Sequence, residues 1–422
     1  MKKILLAFSI PYLLSAQTIP ELFDALKHHS QTKVDEMAVK RAQVGASQVT
    51  SQLYPSVNLV ASYDNYSTPT GMVPVPPDKL VGLVQNNQTQ PFSYNIYKAG
   101  ANFTMPIFVK SIYSMVDKAE ALQKSARANK KINLIKNEAL IVGSNANLLY
   151  LNALKKSLDL KEKSLQETLK TVKIKVNNGR LAESALYKIE DSLNQVSIAK
   201  NSIDLESKKL ISSIEAVSGV RLTSPIEMKQ TQPIEKNDFA SLRPMQEKIK
   251  ASEFGVKAEK EKLYPSVVAH GSYMFSTATS YNNSKNINEA YGDVGVVVNI
   301  PLLAVSQYDS LKKSKIELDA NRIALQKLQD ELQAKADMLN ASLPLLDNSI
   351  KLTYKSIENK QKLLRIAKVN YKNGRLSTEE YLRYEDEVVS AKAKYYQAKA
   401  QKWQTLMELA VIYADNIEEI VQ

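Results

Sequence analysis

Apolar and polar side chains alternate in four short segments of the chain, two in each half. In the first half, apolar residues occupy every second position over residues 57–63 and 97–105. In the second half, the same alternation runs over residues 267–275 and 294–300. A period of two predicts strands with one apolar face. We therefore predict two β-hairpins whose strands, at about ten residues, have the length of tilted membrane strands.

A spacing of three and four residues between apolar positions dominates the rest of the chain. It predicts a helix over residues 19–52 and a much longer one over residues 108–177, which contain no proline. About 70 residues at ~1.5 Å each would extend roughly 105 Å. Partner segments follow Gly179 and Gly374, so each half is expected to form a long antiparallel coiled-coil hairpin. Pro344 lies inside the second long segment, where we expect it to remove a hydrogen bond and bend the helix.

Two sequence motifs occur twice and in the same order. Leu-Tyr-Pro-Ser-Val at 53–57 returns at 263–267, and Asn-Gly-Arg-Leu at 178–181 returns at 373–376. The shifts are 210 and 195 residues, which indicates a tandem duplication of one large unit. The 15-residue difference falls in the loop of the first β-hairpin, about 68–93, where the density of prolines argues against a helix.

These patterns divide the chain into a leader, two repeats and a connection. Residues 1–16 resemble a signal peptide, with Lys2-Lys3 followed by an apolar core and Ser15-Ala16. We expect no helical membrane anchor in the mature protein, because no other stretch approaches ~18 apolar residues. The first repeat is expected over 17–219, with a helix, a strand hairpin at 57–105 and a helical hairpin at 107–218 whose tip lies near 179. The proline-bearing connection is expected over 220–240. The second repeat is expected over 241–422, with a helix, a strand hairpin at 267–300 and a helical hairpin at 302–414 whose tip lies near 374.

Composition argues against several classes of protein. The net charge of +12 would suit nucleic acid, but lysines and carboxylates are interleaved along the helices, so we expect solvated faces and no nucleic-acid partner. The chain has no cysteine and three histidines, and it lacks phosphate-loop, metal and nucleophile motifs. The carboxylate pairs Glu190-Asp191 and Glu385-Asp386 are expected on solvated helix faces. We therefore predict neither an enzyme nor a cofactor site.

Four membrane-length strands cannot form an open sheet in lipid, because the edge groups would stay unpaired. The strands must close with those of other chains, so the sequence predicts an oligomer. With these features, the chain resembles the outer-membrane efflux protein family, the TolC-like channels. The resemblance rests on the duplicated order of helix, Tyr-Pro-Ser-Val strand, hairpin, very long helix and glycine turn, and it covers essentially the whole mature chain.

The resemblance implies a mainly α fold with a small β part. Long antiparallel coiled-coil hairpins in two tandem repeats and four membrane β-strands per chain would close as a trimeric α/β barrel. It implies a homotrimer in the outer membrane of a Gram-negative bacterium, extending into the periplasm. Its expected partners are outer-membrane lipid, a periplasmic adaptor protein and an inner-membrane transporter. The expected function is passive conduction in tripartite efflux or type I secretion.

The family also implies a gate near the helical turns, where carboxylates form a ring. The family's first aspartate position is Glu380 here, and its second is Arg383. A family tyrosine matches Tyr371, whereas the family arginine is displaced by one position to Arg375. We expect Glu380 from three subunits to line the constriction and the other three residues to hold it shut. The alternative is that Glu380 is only a solvated residue of the helix face.

The turns themselves have two interpretations. They could be adaptor-docking tips, because both copies retain Arg and Leu, or they could simply terminate helices, which explains glycine but not leucine. The residues concerned are Asn178, Gly179, Arg180, Leu181, Asn373, Gly374, Arg375 and Leu376.

Two other functions compete with the channel. The main one is a periplasmic coiled-coil adaptor (membrane fusion) protein, although such proteins usually carry one helical hairpin inserted into compact β-domains. A secreted coiled-coil structural protein is less favoured, because it would not need alternating strands.

Overall fold

The computed structural model describes residues 18–236 and 238–422. The expected signal peptide, residues 1–16, lies outside the described residues. The described chain is mostly helical with one four-stranded antiparallel sheet, which confirms the predicted fold class. The first repeat contains α1 (Ile19–His28), α2 (Ser30–Ser51), β1 (Ser56–Gly71), α3 (Pro77–Gln85), β2 (Phe92–Phe108), α4 (Lys110–Asn177) and α5 (Ser184–Ser218). A 3-10 turn, Ala240–Leu242, precedes the second repeat, which contains α6 (Arg243–Glu261), β3 (Ser266–Thr279), β4 (Asn286–Asn299), α7 (Val305–Lys372), α8 (Thr378–Tyr413) and α9 (Ile417–Ile420).

The structure corrects two predicted helix assignments in the first repeat. The expected helix over 19–52 breaks at His29, whose backbone is extended. Across the break, the Thr32 hydroxyl donates a hydrogen bond to the Leu26 carbonyl. The loop expected to lack helix contains α3, because Pro77 sits at its start. Proline is tolerated in the first helical turn, where its missing N–H would have no partner anyway.

The sheet has the order β1-β2-β3-β4. Its register places Leu59 opposite Ala101, Ala101 opposite Tyr273, and Tyr273 opposite Gly292. The four alternating apolar series therefore share one face, as the period of two predicts. The strands, at 14 to 17 residues, are longer than predicted. Pairing continues beyond the apolar series because polar residues such as Asn65 and Asn95 also form ladder partners.

The two long helices behave differently within their hairpins. In the first, α4 and α5 share a buried apolar seam at seven-residue intervals. Its members are Leu151, Leu158, Leu165 and Val172 on α4, and Ile189, Val196 and Ile203 on α5. In the second, ion pairs join α7 to α8, with Lys335–Glu408 at 2.9 Å, Asp347–Lys402 at 2.6 Å and Lys360–Glu387 at 2.5 Å. Helix α7 continues through Pro344, so the proline does not end it.

By its contacts, the chain divides into two compact units, each with its own packing. The strand unit comprises Lys40–Ser125 and Met245–Ala324. The helical unit comprises the described part of Met1–Val39, together with Ala126–Pro244 and Leu325–Gln422. In the helical unit, the connection between the repeats pairs with the C-terminus through Lys229 and Gln422. The main core of this unit includes Ile19, Leu22, Phe23, Leu26, Ile141, Ile214 and Ile417.

Candidate functional site

The apolar face of the sheet is open to its surroundings. The exposed fraction of the Leu59 side chain on β1 is 88%, and that of Val294 on β4 is 81%. Valine, tyrosine and phenylalanine side chains on the same face are also exposed, for example Val57, Tyr97 and Phe275. A contiguous apolar surface of this kind marks contact with a membrane or another protein.

The opposite face of the sheet is polar and internally paired. Lys98 lies 3.3 Å from Asp64, and His270 lies 3.9 Å from Asp293. Ser272 donates a hydrogen bond to Asp293. Strands β1 and β4 each pair on one side only within the described chain, so two sheet edges remain open. One apolar face, one polar face and two open edges are what a segment of a larger closed barrel requires.

Both glycine turns have the same geometry. Gly179 has φ +68° and Gly374 has φ +71°, the left-handed region that glycine enters without strain. Arg180 N–H donates to the Lys175 carbonyl at 2.8 Å, and Arg375 N–H donates to the Asn370 carbonyl at 2.9 Å. Together with bonds from each glycine N–H to the carbonyl three residues before it, these contacts form a Schellman motif at each turn.

The structure brings the two turns together in the helical unit. Lys188 on α5 contacts Glu379 on α8 at 2.7 Å, although 191 residues separate them in sequence. A cavity of about 510 Å³ lies between the turns and is lined by both. Its lining includes Lys175, Leu181, Lys188, Tyr371, Arg375 and Leu376. We refer to this end of the helical unit as the paired tip.

Leucine in the first turn has a structural role that sequence reasoning missed. Leu181 packs against the buried seam of α4 and α5. Its presence in the motif therefore needs no docking partner. Asn178, Arg180, Asn373 and Arg375 are exposed, so the polar residues of the motif remain available at the surface.

Glu380 caps a helix in the single protomer. The Ser377 backbone N–H and hydroxyl donate hydrogen bonds to its carboxylate at 3.0 and 2.9 Å, and the Ser377 hydroxyl oxygen accepts from the Glu380 N–H. These bonds, with the nearby positive charge of Arg383, lower the pKa of Glu380. The carboxylate is exposed and ionised, and Ser377 holds it at the first turn of α8.

The other three predicted gate residues surround this turn without contacting Glu380 directly. Tyr371 stacks on Tyr381 with ring centroids 4.8 Å apart. Arg383 lies 4.0 Å from Glu387, and its guanidinium lies 5.8 Å from the centre of the Tyr384 ring. Arg375 lines the cavity of the paired tip. In the described protomer, Glu380 and Arg383 thus have separate partners.

Glu385 is the functional candidate that sequence reasoning missed. We expected it on a solvated face, but its exposed fraction is 5%, so that expectation was wrong. Its Oε1 accepts hydrogen bonds from Ser164 on α4 and, at 2.7 Å, from Tyr381 on α8. Burial raises the pKa of Glu385, and burial likewise raises the pKa of Tyr381. No local signal identifies it, because Ser164 lies 221 residues away in sequence.

The part of the chain that the structure describes contains neither a candidate membrane-spanning helix nor a candidate metal cluster. No helix in residues 18–236 and 238–422 combines the length and apolar character needed to cross a bilayer. Among the same residues, no group of histidines and carboxylates is arranged to hold a metal ion.

Comparison with known proteins gives one family and several similar structures. A family model described as outer membrane efflux protein matches residues 22–210. A search of curated proteins finds no match. Among solved structures, the outer membrane protein VceC of Vibrio cholerae is 14% identical and aligns with a TM-score of 0.76 over 94% of this chain and 96% of its own.

Two further structures show the same fold. The CmeC outer membrane channel of Campylobacter jejuni is 15% identical, with a TM-score of 0.77 over 94% of this chain and 85% of CmeC. The MtrE outer membrane channel of Neisseria gonorrhoeae, in its open state, is 14% identical, with a TM-score of 0.72 over 94% and 89% of the two chains. Residues 22–210 thus match the outer membrane efflux protein family, and the described chain shares the fold of these solved outer membrane proteins.

Proposed function

We propose that this protein is a passive export channel in the outer membrane of a Gram-negative bacterium. Three chains would close their strands into one barrel of about twelve strands, and the helical units would lie in the periplasm. An inner-membrane transporter and a periplasmic adaptor would deliver substrates for efflux or type I secretion. The chain itself would perform no chemistry.

The observation that carries this proposal is the four-stranded sheet with an exposed apolar face and two open edges. In lipid, an unpaired backbone N–H or C=O costs several kcal/mol, roughly 2–7 kcal/mol for each group. Strands β1 and β4 must therefore find partners, and the same two edges on identical copies can pair with each other around a closed ring.

A stripe on α7 supports assembly with identical copies. Met338, Leu345, Leu352 and Ile366 lie at multiples of seven residues, and all are exposed in the single chain. Apolar residues at this interval form the seam of a coiled coil. We infer that a helix of a second copy covers this stripe, because the closed ring of strands already requires other copies of the chain.

Engineered cysteines test the barrel directly, because the natural chain has none. Leu59→Cys on β1 would be combined in turn with Val294→Cys, Val296→Cys and Val298→Cys on β4. Two strands separate these positions within a protomer, about 14 Å at ~4.8 Å per strand, which is too far for a disulfide. We expect oxidation to link different subunits, giving dimers and trimers on denaturing gels without reductant.

The matched control is Leu59→Cys with Ala101→Cys, which face each other within one protomer. This pair should not produce linked subunits. Monomers at all three β4 positions would contradict the closed barrel. Fractionation separates the channel from the adaptor alternative: a heat-modifiable trimer in outer membranes supports the channel, and a soluble or inner-membrane product supports the adaptor. No observation on this chain favours the adaptor.

The gate is a further part of the proposal. Glu380 from three subunits would line the constriction, with Tyr371, Arg375 and Arg383 supporting it. The position of Glu380 in the first turn of α8, beside the paired tip, supports this role. Conductance and ion selectivity of Glu380→Ala in planar bilayers test it. Glu379→Ala is the control, because this neighbouring carboxylate pairs with Lys188. Equal conductance and selectivity in both variants and the natural protein would remove Glu380 from the gate.

The paired tip is the proposed docking site for the adaptor. Its exposed polar residues, Asn178, Arg180, Asn373 and Arg375, support this, as does the cavity between the turns. A photo-crosslinking residue at position 180 or 375 should capture the adaptor in cells. Position 205 on α5, which is also exposed, is the control. Capture at 205 but at neither tip position would place docking elsewhere.

A further inference from the structure

Three hydroxyl and carboxyl oxygens form a closed triangle in the helical unit. Ser164 on α4 contacts Glu385 Oε1, Tyr381 contacts the same oxygen at 2.7 Å, and the Ser164 and Tyr381 hydroxyls lie 2.9 Å apart. Tyr381 and Glu385 are on α8, so the triangle joins α8 to α4. The other carboxyl oxygen of Glu385 is buried and has no hydrogen-bond partner among the described residues.

The number of protons decides which form of Glu385 fits this triangle. If Glu385 is ionised, the two hydroxyls supply two protons for three oxygen–oxygen contacts, so one contact has no hydrogen. If Glu385 carries a proton, the carboxyl can donate to Ser164, Ser164 to Tyr381, and Tyr381 back to Glu385. All three contacts are then hydrogen bonds. The buried second oxygen is also less costly as a neutral carbonyl than as part of a charged carboxylate.

The charged groups around the triangle offset a negative charge there only in part: burial raises the pKa of Glu385 by more than the charge of Lys161 lowers it. Lys161, on α4, is already paired with Asp386, the residue next to Glu385. Tyr371, on α7, stacks on Tyr381 and brings no positive charge. Lys368 on α7 and Lys392 on α8 line a cavity of about 270 Å³ that the three residues of the triangle also line, and neither lysine forms a hydrogen bond or an ion pair with Glu385. Burial raises the pKa of Glu385, which agrees with the geometry.

Glu385 lies close to the proposed gate on the same helix. Five residues separate it from Glu380, which corresponds to about 7.5 Å along α8. A change in the packing of α8 on α4 at Glu385 would therefore move the first turn of α8. This inference rests on the proposed channel function and adds a residue that determines when the gate opens.

We propose that Glu385 is a proton-binding positioning residue for the gate. With its proton bound, it completes the triangle and holds α8 against α4, which keeps Glu380 and Arg383 in the closed arrangement. When the proton leaves, the buried charge and the incomplete triangle loosen α8. Acid therefore favours the closed channel, and alkaline conditions favour the open one.

Conductance of the purified natural protein in planar bilayers, measured from about pH 5 to about pH 9, tests this proposal. We expect conductance to rise with pH. Glu385→Gln should lose the pH dependence, because the amide does not titrate in this range, and should remain at the low acid value. The matched control is Glu190→Gln: Glu190 lies eleven residues after Gly179, as Glu385 does after Gly374, and it is exposed. Glu190→Gln should keep the natural pH profile.

A second variant covers the case in which Glu385→Gln does not assemble. Tyr381→Phe keeps the stacked ring but removes one hydroxyl from the triangle, so its conductance at acid pH should exceed that of the natural protein several-fold. Acid conductance equal to that of the natural protein would overturn the inference. So would a pH-independent natural channel, or a Glu385→Gln profile that follows the natural one. A natural protein that forms no conducting trimer overturns the proposed function as well, so the two failures are distinguishable.

Discussion

The two helical hairpins occupy corresponding places in the duplicated sequence and hold together by partly different means. Beyond a small buried cluster that contains Leu339 of α7 and Leu409 of α8, the second hairpin relies on ion pairs. Fourteen residues before the turn glycine, the first hairpin has Leu165, which is fully buried in an apolar seam. The second hairpin has Lys360 at the same position, paired with Glu387. Eleven residues after the glycine, Glu190 is exposed and Glu385 is buried. The two repeats thus share the same order of helices and turns but differ in the side chains that hold the helices together.

The difference indicates which hairpin is fixed and which can move. An apolar seam loses stability whenever it opens, because its area returns to water. Ion pairs that are partly exposed lose little when they separate, since water solvates the released charges. The first hairpin therefore suits a permanent scaffold. The second, whose contact with α4 near the turn includes the buried polar triangle, suits a part that changes position there.

The largest effect that would sharpen this comparison is expected for Leu165→Ala. Removing a buried leucine side chain should cost about 2–5 kcal/mol of folding free energy. Lys360→Ala at the matching position should cost much less, because its ion pair is partly exposed. Loss of far-ultraviolet circular dichroism on heating measures both. Equal losses of thermal stability would show that the second hairpin is held as firmly as the first.

A second test concerns a buried carboxylate in the scaffold itself. Glu138 on α4 is 3% exposed, and burial, together with the charge of Glu418, raises its pKa to about 7. The folded state thus prefers the neutral form. Its contribution is fully present below the unfolded pKa of about 4.5 and is lost as pH rises through about 7.

Glu138→Gln should remove this loss. At about pH 8 the variant should be more stable than the natural protein by roughly 2–3 kcal/mol, and near pH 4 the two should be similar. Melting temperatures at both pH values measure the difference. From about pH 4 to about pH 8, the melting temperature of the natural protein should fall relative to that of the variant. If it does not, Glu138 does not titrate as its burial implies.

The smallest effects are expected at the turns, where the two hairpins are alike. Gly179→Ala and Gly374→Ala place a side chain at positive φ in open space, with no atom within 4 Å of the added carbon. Each should cost about 1 kcal/mol, from backbone strain alone. Thermal melting of both variants measures this. A clearly larger loss of thermal stability at one turn would mean that the two turns contribute unequally to the stability of the helical unit.

Much of the fold follows from short-range patterns in the chain. The period of two places the apolar series of all four strands on one face, because side chains alternate along a strand whatever surrounds it. Glycine at 179 and 374 predicts the turns for an equally local reason. The helix α3 and the break at His29 were not predicted. Proline occurs both in loops and at helix starts, so Pro77 alone does not indicate a helix. The hydrogen bond from Thr32 at the break also cannot be recognised from the sequence.

The candidate site could be predicted only in part. Glu380 and Tyr371 lie beside the paired tip, where their distance from Gly374 in the sequence puts them. Glu385 could not be found in the same way. Its sequence neighbourhood matches that of the exposed Glu190, since both are followed by aspartate on a polar helix.

The sequence by itself determined the duplication, because the repeated motifs can be read directly. It also determined the strand faces, the long helices and the turns, because each of these depends on intervals of seven residues or fewer. Only the tertiary structure decided that Glu385 is buried against Ser164 and that Leu181 supports a core. Burial depends on which distant helix covers a side chain, and that packing is set by contacts more than 200 residues apart. Local periodicity carries no record of them.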